Sequence, residues 1–134
     1  KPERQGWDTW VRKLYGGVCE RYLAQQQGPG VYSLEMHVLR LGDVAIATNP
    51  FELYVDYGVQ IQARSAAEQT FLIQLASPLD DAGYVPTTRA VAAGTFNASP
   101  MNNYSATVMS ARVGPEGAQV LVDRTVELIQ SLWK

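Results

Sequence analysis

Apolar residues recur at intervals of three and four positions from Trp7 to about Gln27, which is the spacing of one face of a helix. The pattern stops at Gly28-Pro29-Gly30, a sequence that ends helices. A second such pattern follows Gly114-Pro115-Glu116, in which proline suits the first turn of a helix. The chain is therefore predicted to begin and end with an amphipathic helix. The predicted apolar face of the closing helix consists of Val120, Leu121, Arg124, Val126, Leu128, Ile129 and Leu132.

The segments between these helices contain three apolar runs that are typical of strands. Residues 31–40 and residues 44–48 are separated by Leu41-Gly42-Asp43, which predicts a tight turn between two strands. Residues 70–76 predict a third, buried strand. Residues 77–101 are rich in Pro, Gly and small polar residues, and they predict a long loop with one short strand.

A helix is expected between the second and third strands. In Asn49-Pro50-Phe51-Glu52, Asn is a favoured N-cap, Pro suits the first helical position, and Glu three residues after the Asn can bond back to the cap. Strand, helix and strand at this spacing predict a crossover that joins parallel neighbours. The predicted class is α/β or α+β, with a mixed sheet and flanking amphipathic helices. The expected packing stripe of this helix, which runs out near residues 64 and 65, is Leu53, Tyr54, Tyr57, Gly58 and Ile61.

Composition narrows the classes of protein to which the chain can belong. The 134 residues fit one domain, and a net charge of -2 does not favour a nucleic-acid partner. No apolar run approaches the roughly 20 residues that span a bilayer, so no transmembrane segment is expected. The charged fraction of 18% is below the roughly 25% that is typical of soluble domains, which indicates a surface covered by a partner or by further chain. The single cysteine, Cys19, excludes an internal disulfide and is expected to be buried on its helix.

Common catalytic motifs are absent, and the only histidine is His37. Its place within a predicted strand favours a structural or surface histidine over a ligand. Two other residues are better candidates. Glu52 follows the strand of residues 44–48 at its carboxyl end, where ligands bind in open α/β sheets, and Tyr84 follows the next strand. The alternatives are purely structural roles, in which Glu52 completes a helix cap and the Tyr84 ring packs beneath the loop.

Three segments occur in an order that is similar to the order found in a known family. They are residues 39–52, with the sequence LRLGDVAIATNPFE, then Gly83-Tyr84-Val85-Pro86-Thr87, and Val113-Gly114-Pro115-Glu116-Gly117. The chain thereby resembles the neutral/alkaline ceramidases, and more closely the ceramidase-like hypothetical proteins of bacteria. It departs from their pattern at Phe51, where glycine is usual, and at residues 93–97, where the family carries Tyr-Glu-Gly with a second active-site tyrosine.

The resemblance implies a zinc-dependent amide hydrolase whose single zinc ion is held by two histidines, a glutamate and a tyrosine. Glu52 matches the glutamate and Tyr84 matches the tyrosine. The histidine pair is not in this sequence, so the chain is expected to be the carboxyl-terminal part of a larger catalytic domain, inactive alone, and completed by a missing amino-terminal half or a partner chain. The resemblance also implies a lipid amide substrate and a secreted or periplasmic location.

A second hypothesis belongs to another class of protein. The chain is then a non-catalytic α/β module that binds a protein partner through the loop of residues 77–101 and through uncovered apolar surface. Glu52 is only a helix cap under this hypothesis.

Overall fold

A computed structural model of the chain describes residues 2–76, 82–94 and 104–134. The chain divides into two units, Lys1–Ser33 and Leu34–Lys134. The first unit is formed by helix α1 (Pro2–Gln27), which confirms the predicted opening helix. Cys19 is exposed on it. The expectation that Cys19 is buried is wrong, because α1 contributes no residue to the buried core of the described chain.

The second unit is built on a three-stranded mixed sheet. Strand β1 (Val38–Leu41) pairs antiparallel with β2 (Val44–Thr48), and β2 pairs parallel with β4 (Gln69–Ile73). Helix α2 (Val55–Arg64) provides the connection between the parallel pair. The predicted α/β class with a mixed sheet is confirmed. The first predicted strand, residues 31–40, is shorter in the structure because β2, which pairs with it, has five residues.

The core lies between this sheet and two helices, α2 and α4 (Pro115–Ser131). Alanines on β2 allow the helices to approach closely, and Gly114 and Pro115 begin α4 as predicted. Val120 is 68% exposed, so its place in the predicted apolar face is wrong. The buried stripe of α4 shares Leu121, Val126 and Ile129 with the predicted face and follows spacings of three and four residues. This stripe consists of Ala118, Leu121, Val122, Thr125, Val126 and Ile129.

The sequence Asn49-Pro50-Phe51-Glu52 does not begin a helix. The Asn49 side chain accepts a hydrogen bond from the Phe51 backbone N–H at 2.9 Å, so it stabilises a turn instead of a helix end. Phe51 is buried, and Glu52 continues into a two-residue strand, β3 (Glu52–Leu53). Helix α2 starts at Val55 without any side-chain cap. The predicted capping role of Glu52 is therefore wrong, because strand pairing takes its backbone instead.

The region predicted as a loop contains a strand and an unpredicted helix. Strand β5 (Tyr84–Val85) confirms the one short strand, and it is followed by helix α3 (Thr88–Gly94). Residues 77–81 and 95–101, the remainder of that prediction, lie outside the described residues. A short 3-10 helix, Tyr104–Ala106, precedes α4. Within the described part of the chain, no helix has the length and apolarity needed to cross a membrane.

Candidate functional site

Glu52 and Tyr84 are brought together by a second, two-stranded sheet. Strands β3 and β5 run parallel with Glu52 opposite Tyr84 and Leu53 opposite Val85. The Glu52 backbone N–H donates to the Gly83 carbonyl at 3.0 Å, and Tyr54 donates to Val85 at 3.4 Å. Residues in register on neighbouring strands extend from the same face, so the carboxylate and the phenol are neighbours. Both side chains are partly exposed.

Tyr104 is a third member of this cluster that sequence analysis missed. Its hydroxyl shares a hydrogen bond of 3.0 Å with the Tyr84 hydroxyl. The two rings meet edge to face, with their centroids 5.4 Å apart and their planes at 84°. Tyr104 lies 20 residues after Tyr84 and outside any regular pattern, so no periodicity in the sequence indicated it. The expected family position for a second tyrosine, residues 93–97, contains none.

The hydroxyl of Tyr84 is held in its neutral form by its neighbours. Hydrogen bonding to Tyr104, and then to Glu52, raises the pKa of Tyr84 well above its usual value of 10.0. Partial desolvation and the negative charge of Glu52 act in the same direction. Tyr84 is therefore neutral at neutral pH, and its hydroxyl is hydrogen-bonded to the Tyr104 hydroxyl.

Further hydrogen bonds hold the residues that flank the cluster. The Leu53 backbone N–H donates to the Gln74 side-chain carbonyl at 2.7 Å. The Tyr54 hydroxyl and the Ser105 hydroxyl are 2.8 Å apart. These bonds connect β3 to the end of β4 on one side and to the 3-10 helix on the other, so both strands of the small sheet are fixed to the larger unit.

The cluster supplies oxygen ligands but no complete metal site. His37 pairs with Glu35, Nε2 to Oε1 at 2.9 Å, and both side chains are mostly exposed. No group of three or more His, Cys, Asp or Glu side chains that could hold a metal occurs in residues 2–76, 82–94 and 104–134. A zinc site requires about four ligands. Glu52 and Tyr84 together offer one carboxylate and one phenol, which is fewer groups than a zinc site needs.

A polar cleft of about 420 Å³ lies at the first turns of α2 and α4. It includes none of the three cluster residues. Arg89 faces Asp56 across it, with nitrogen and oxygen 3.5 Å apart, and Glu116 adds a second carboxylate. Burial, followed by the charges of Asp56 and Glu116, raises the pKa of Tyr57 in its wall. The cleft therefore carries charges of both signs.

The protein is therefore an α/β unit that carries a carboxylate and two phenols on its surface. No protein-family model matches the chain, and neither the curated proteins nor the solved structures contain a match.

Proposed function

We propose that this chain supplies Glu52 and Tyr84 to the zinc site of an amide hydrolase that resembles neutral ceramidase. The observation that carries the proposal is the parallel pairing of β3 with β5, which places the two residues in register. The same pairing removes the competing explanation for Glu52, because the residue does not cap α2. A carboxylate without a capping role, beside a phenol, is what the proposed site needs.

The chemistry of the two side chains supports this role. Glu52 and Tyr84 lie in register on paired strands, and a carboxylate and a phenol are both oxygen groups that zinc can bind once the phenol has lost its proton. Zinc, when bound, activates water and polarises the amide carbonyl. The two histidines come from outside this chain, on an amino-terminal half or on a partner chain, so the chain alone is inactive. Lipid amides in a secreted or periplasmic setting remain the substrate class and location implied by the resemblance.

The proposal is tested by adding the missing ligands as small molecules. The 134-residue chain is titrated with Co²⁺, a paramagnetic substitute for zinc, in the presence of imidazole, while its amide NMR signals are recorded. We expect selective broadening at Leu53 and Val85, which adjoin the two ligands. Glu52→Gln and Tyr84→Phe should each abolish it, because each removes one of only two protein ligands.

Two matched variants control for nonspecific effects. Glu68→Gln removes an exposed carboxylate elsewhere in the same unit, and Tyr15→Phe removes an exposed phenol on α1. Both variants should leave the broadening at Leu53 and Val85 unchanged. Broadening that is absent from the unaltered chain, or that persists in Glu52→Gln, refutes the metal role.

One specific observation favours the non-catalytic binding module. The face of the large sheet opposite the core carries an apolar row in register across all three strands, Leu39, Ile46 and Phe71. Leu39 is 59% exposed and Phe71 is 49% exposed, whereas parallel sheets are usually covered on both faces. The module hypothesis predicts that Glu52→Gln changes nothing in the Co²⁺ titration. Phe51, where the sequence departs from the ceramidase pattern, cannot contribute to such a surface because it is buried.

A further inference from the structure

We propose that Ser110 is the positioning residue of the cluster, holding the main chains of Tyr84 and Tyr104 so that their hydroxyl groups meet. Its importance for metal binding rests on the function proposed above. The geometric claim stands on the contacts of Ser110 alone.

Ser110 is bonded to both tyrosines through different atoms. Its carbonyl accepts the backbone N–H of Tyr84 at 2.9 Å. Its hydroxyl donates to the backbone carbonyl of Tyr104 and also contacts the carbonyl of Thr107 at 3.3 Å. Thr107 bonds the same Tyr104 carbonyl at 3.1 Å. One residue therefore connects strand β5 to the 3-10 helix that carries the second tyrosine.

The main chain approaches closely enough at this point to exclude a side chain. Gly83 has a φ of +66°, and a Cβ atom there would overlap the Ser110 carbonyl oxygen. Ala111 forms bridges to both Gly83 and Tyr84, so residues 110 and 111 lie beside β5 like a third strand. The glycine is thus required for the Ser110 carbonyl to reach the Tyr84 amide.

The contact between the two rings needs this support because it lies at the surface. Tyr104 is 57% exposed. An aromatic pair adds little beyond its buried area, an amount comparable with the entropy lost on ordering the side chains. The ring contact alone therefore cannot hold Tyr104 in one place. Anchoring its main chain through Ser110 removes part of that entropic cost.

The test measures the contact between the rings directly, in the absence of metal. The nuclear Overhauser effect between the Tyr84 and Tyr104 rings is recorded in chains labelled at tyrosine. Ser110→Ala deletes the hydroxyl and should weaken this signal markedly, while the Ser110 carbonyl bond to Tyr84 and the Thr107 bond to the Tyr104 carbonyl remain. Ser110→Cys keeps the side-chain size but has a weak donor, so the signal should be reduced. Ser110→Thr restores a hydroxyl and should recover it.

Ser131→Ala is the matched control, because the Ser131 hydroxyl also donates to a backbone carbonyl, that of Leu128, at 2.7 Å. It should leave the ring signal intact. The proposal is overturned if the signal keeps its full intensity in Ser110→Ala, or if Ser110→Thr fails to recover it although its amide spectrum is that of a folded protein. Loss of the signal together with failure of the Co²⁺ titration would remove the zinc role and leave the positioning role in place.

Discussion

Phe51 is the residue on which the position of Glu52 most depends. It lies between the turn at Asn49 and strand β3, and its side chain is only 1% exposed in the core. Its carbonyl accepts a hydrogen bond from Leu75 at 3.4 Å. Phe51→Ala should therefore destabilise the second unit and release the segment that carries Glu52.

The expected size of the effect follows from burial. Truncating a fully buried phenylalanine costs about 3–5 kcal/mol in transfer and cavity terms. A domain of this size is stable by about 5–15 kcal/mol, so the variant loses a large part of its free energy of unfolding. Phe71→Ala makes the same chemical change at a side chain that is 49% exposed. Without a closed cavity, that change should cost about 1–2 kcal/mol.

Hydrogen exchange at the Val122 and Ile129 amides measures this difference in the second unit alone, because both residues lie buried in α4. Phe51→Ala should speed their exchange by about a hundred-fold to several thousand-fold, at tenfold for each 1.4 kcal/mol. Phe71→Ala should speed it by about five- to thirty-fold. If the two variants are equally fast, Phe51 is not the anchor of β3 and the packing argument fails.

Two further predictions concern the small sheet. Gly83→Ala should destabilise the unit by more than the roughly 1–2 kcal/mol expected of a left-handed residue, because its Cβ meets the Ser110 backbone. Gly42 has a φ of +61° and open space around it, so Gly42→Ala should cost only the free energy of placing an alanine in the left-handed conformation. Equal hydrogen-exchange rates in the two variants would disprove the close approach at Gly83. Tyr84 has a folded-state pKa above 10.0, so the stability from its hydrogen bonds is complete below pH 10 and is lost as pH rises through the folded value. The stability gap between the unaltered chain and Tyr84→Phe, measured by urea unfolding, should close above pH 10, and a constant gap would contradict the assignment.

The parts of the fold that could be predicted are those with a strong local signal. Helices α1 and α4, the tight turn at Gly42 and the parallel pairing of β2 with β4 follow from apolar spacing, glycine and proline positions and crossover geometry. The capping prediction at Asn49 failed because a local motif competed with a long-range one. The Asn49 side chain stabilises either a helix end or a turn, and only the distant pairing with Gly83 decides between them.

Tyr104 could not be predicted for a related reason. It reaches Tyr84 through bonds made by Ser110, which lies 26 residues after Tyr84, and no spacing rule connects residues through a turn of that kind. Strand order predicts that Glu52 and Tyr84 lie at one edge of the sheet, but not their pairing in register, because Glu52 was expected to begin a helix. A side chain delivered by an irregular segment, such as Tyr104, does not follow from strand order at all.

The Glu52 side chain has no capping role at the start of α2. A cap would have given the carboxylate a structural purpose worth about 1 kcal/mol, and Gln would have served nearly as well. In the fold, strand pairing uses the Glu52 backbone, and Glu52 lies in register with Tyr84. Because main-chain bonds build this arrangement, the fold itself holds Glu52 and Tyr84 in register. Under the proposed function, metal affinity should then be limited by ligands from outside the chain, which is why added imidazole, and not a further change in this chain, is the decisive variable in the Co²⁺ titration.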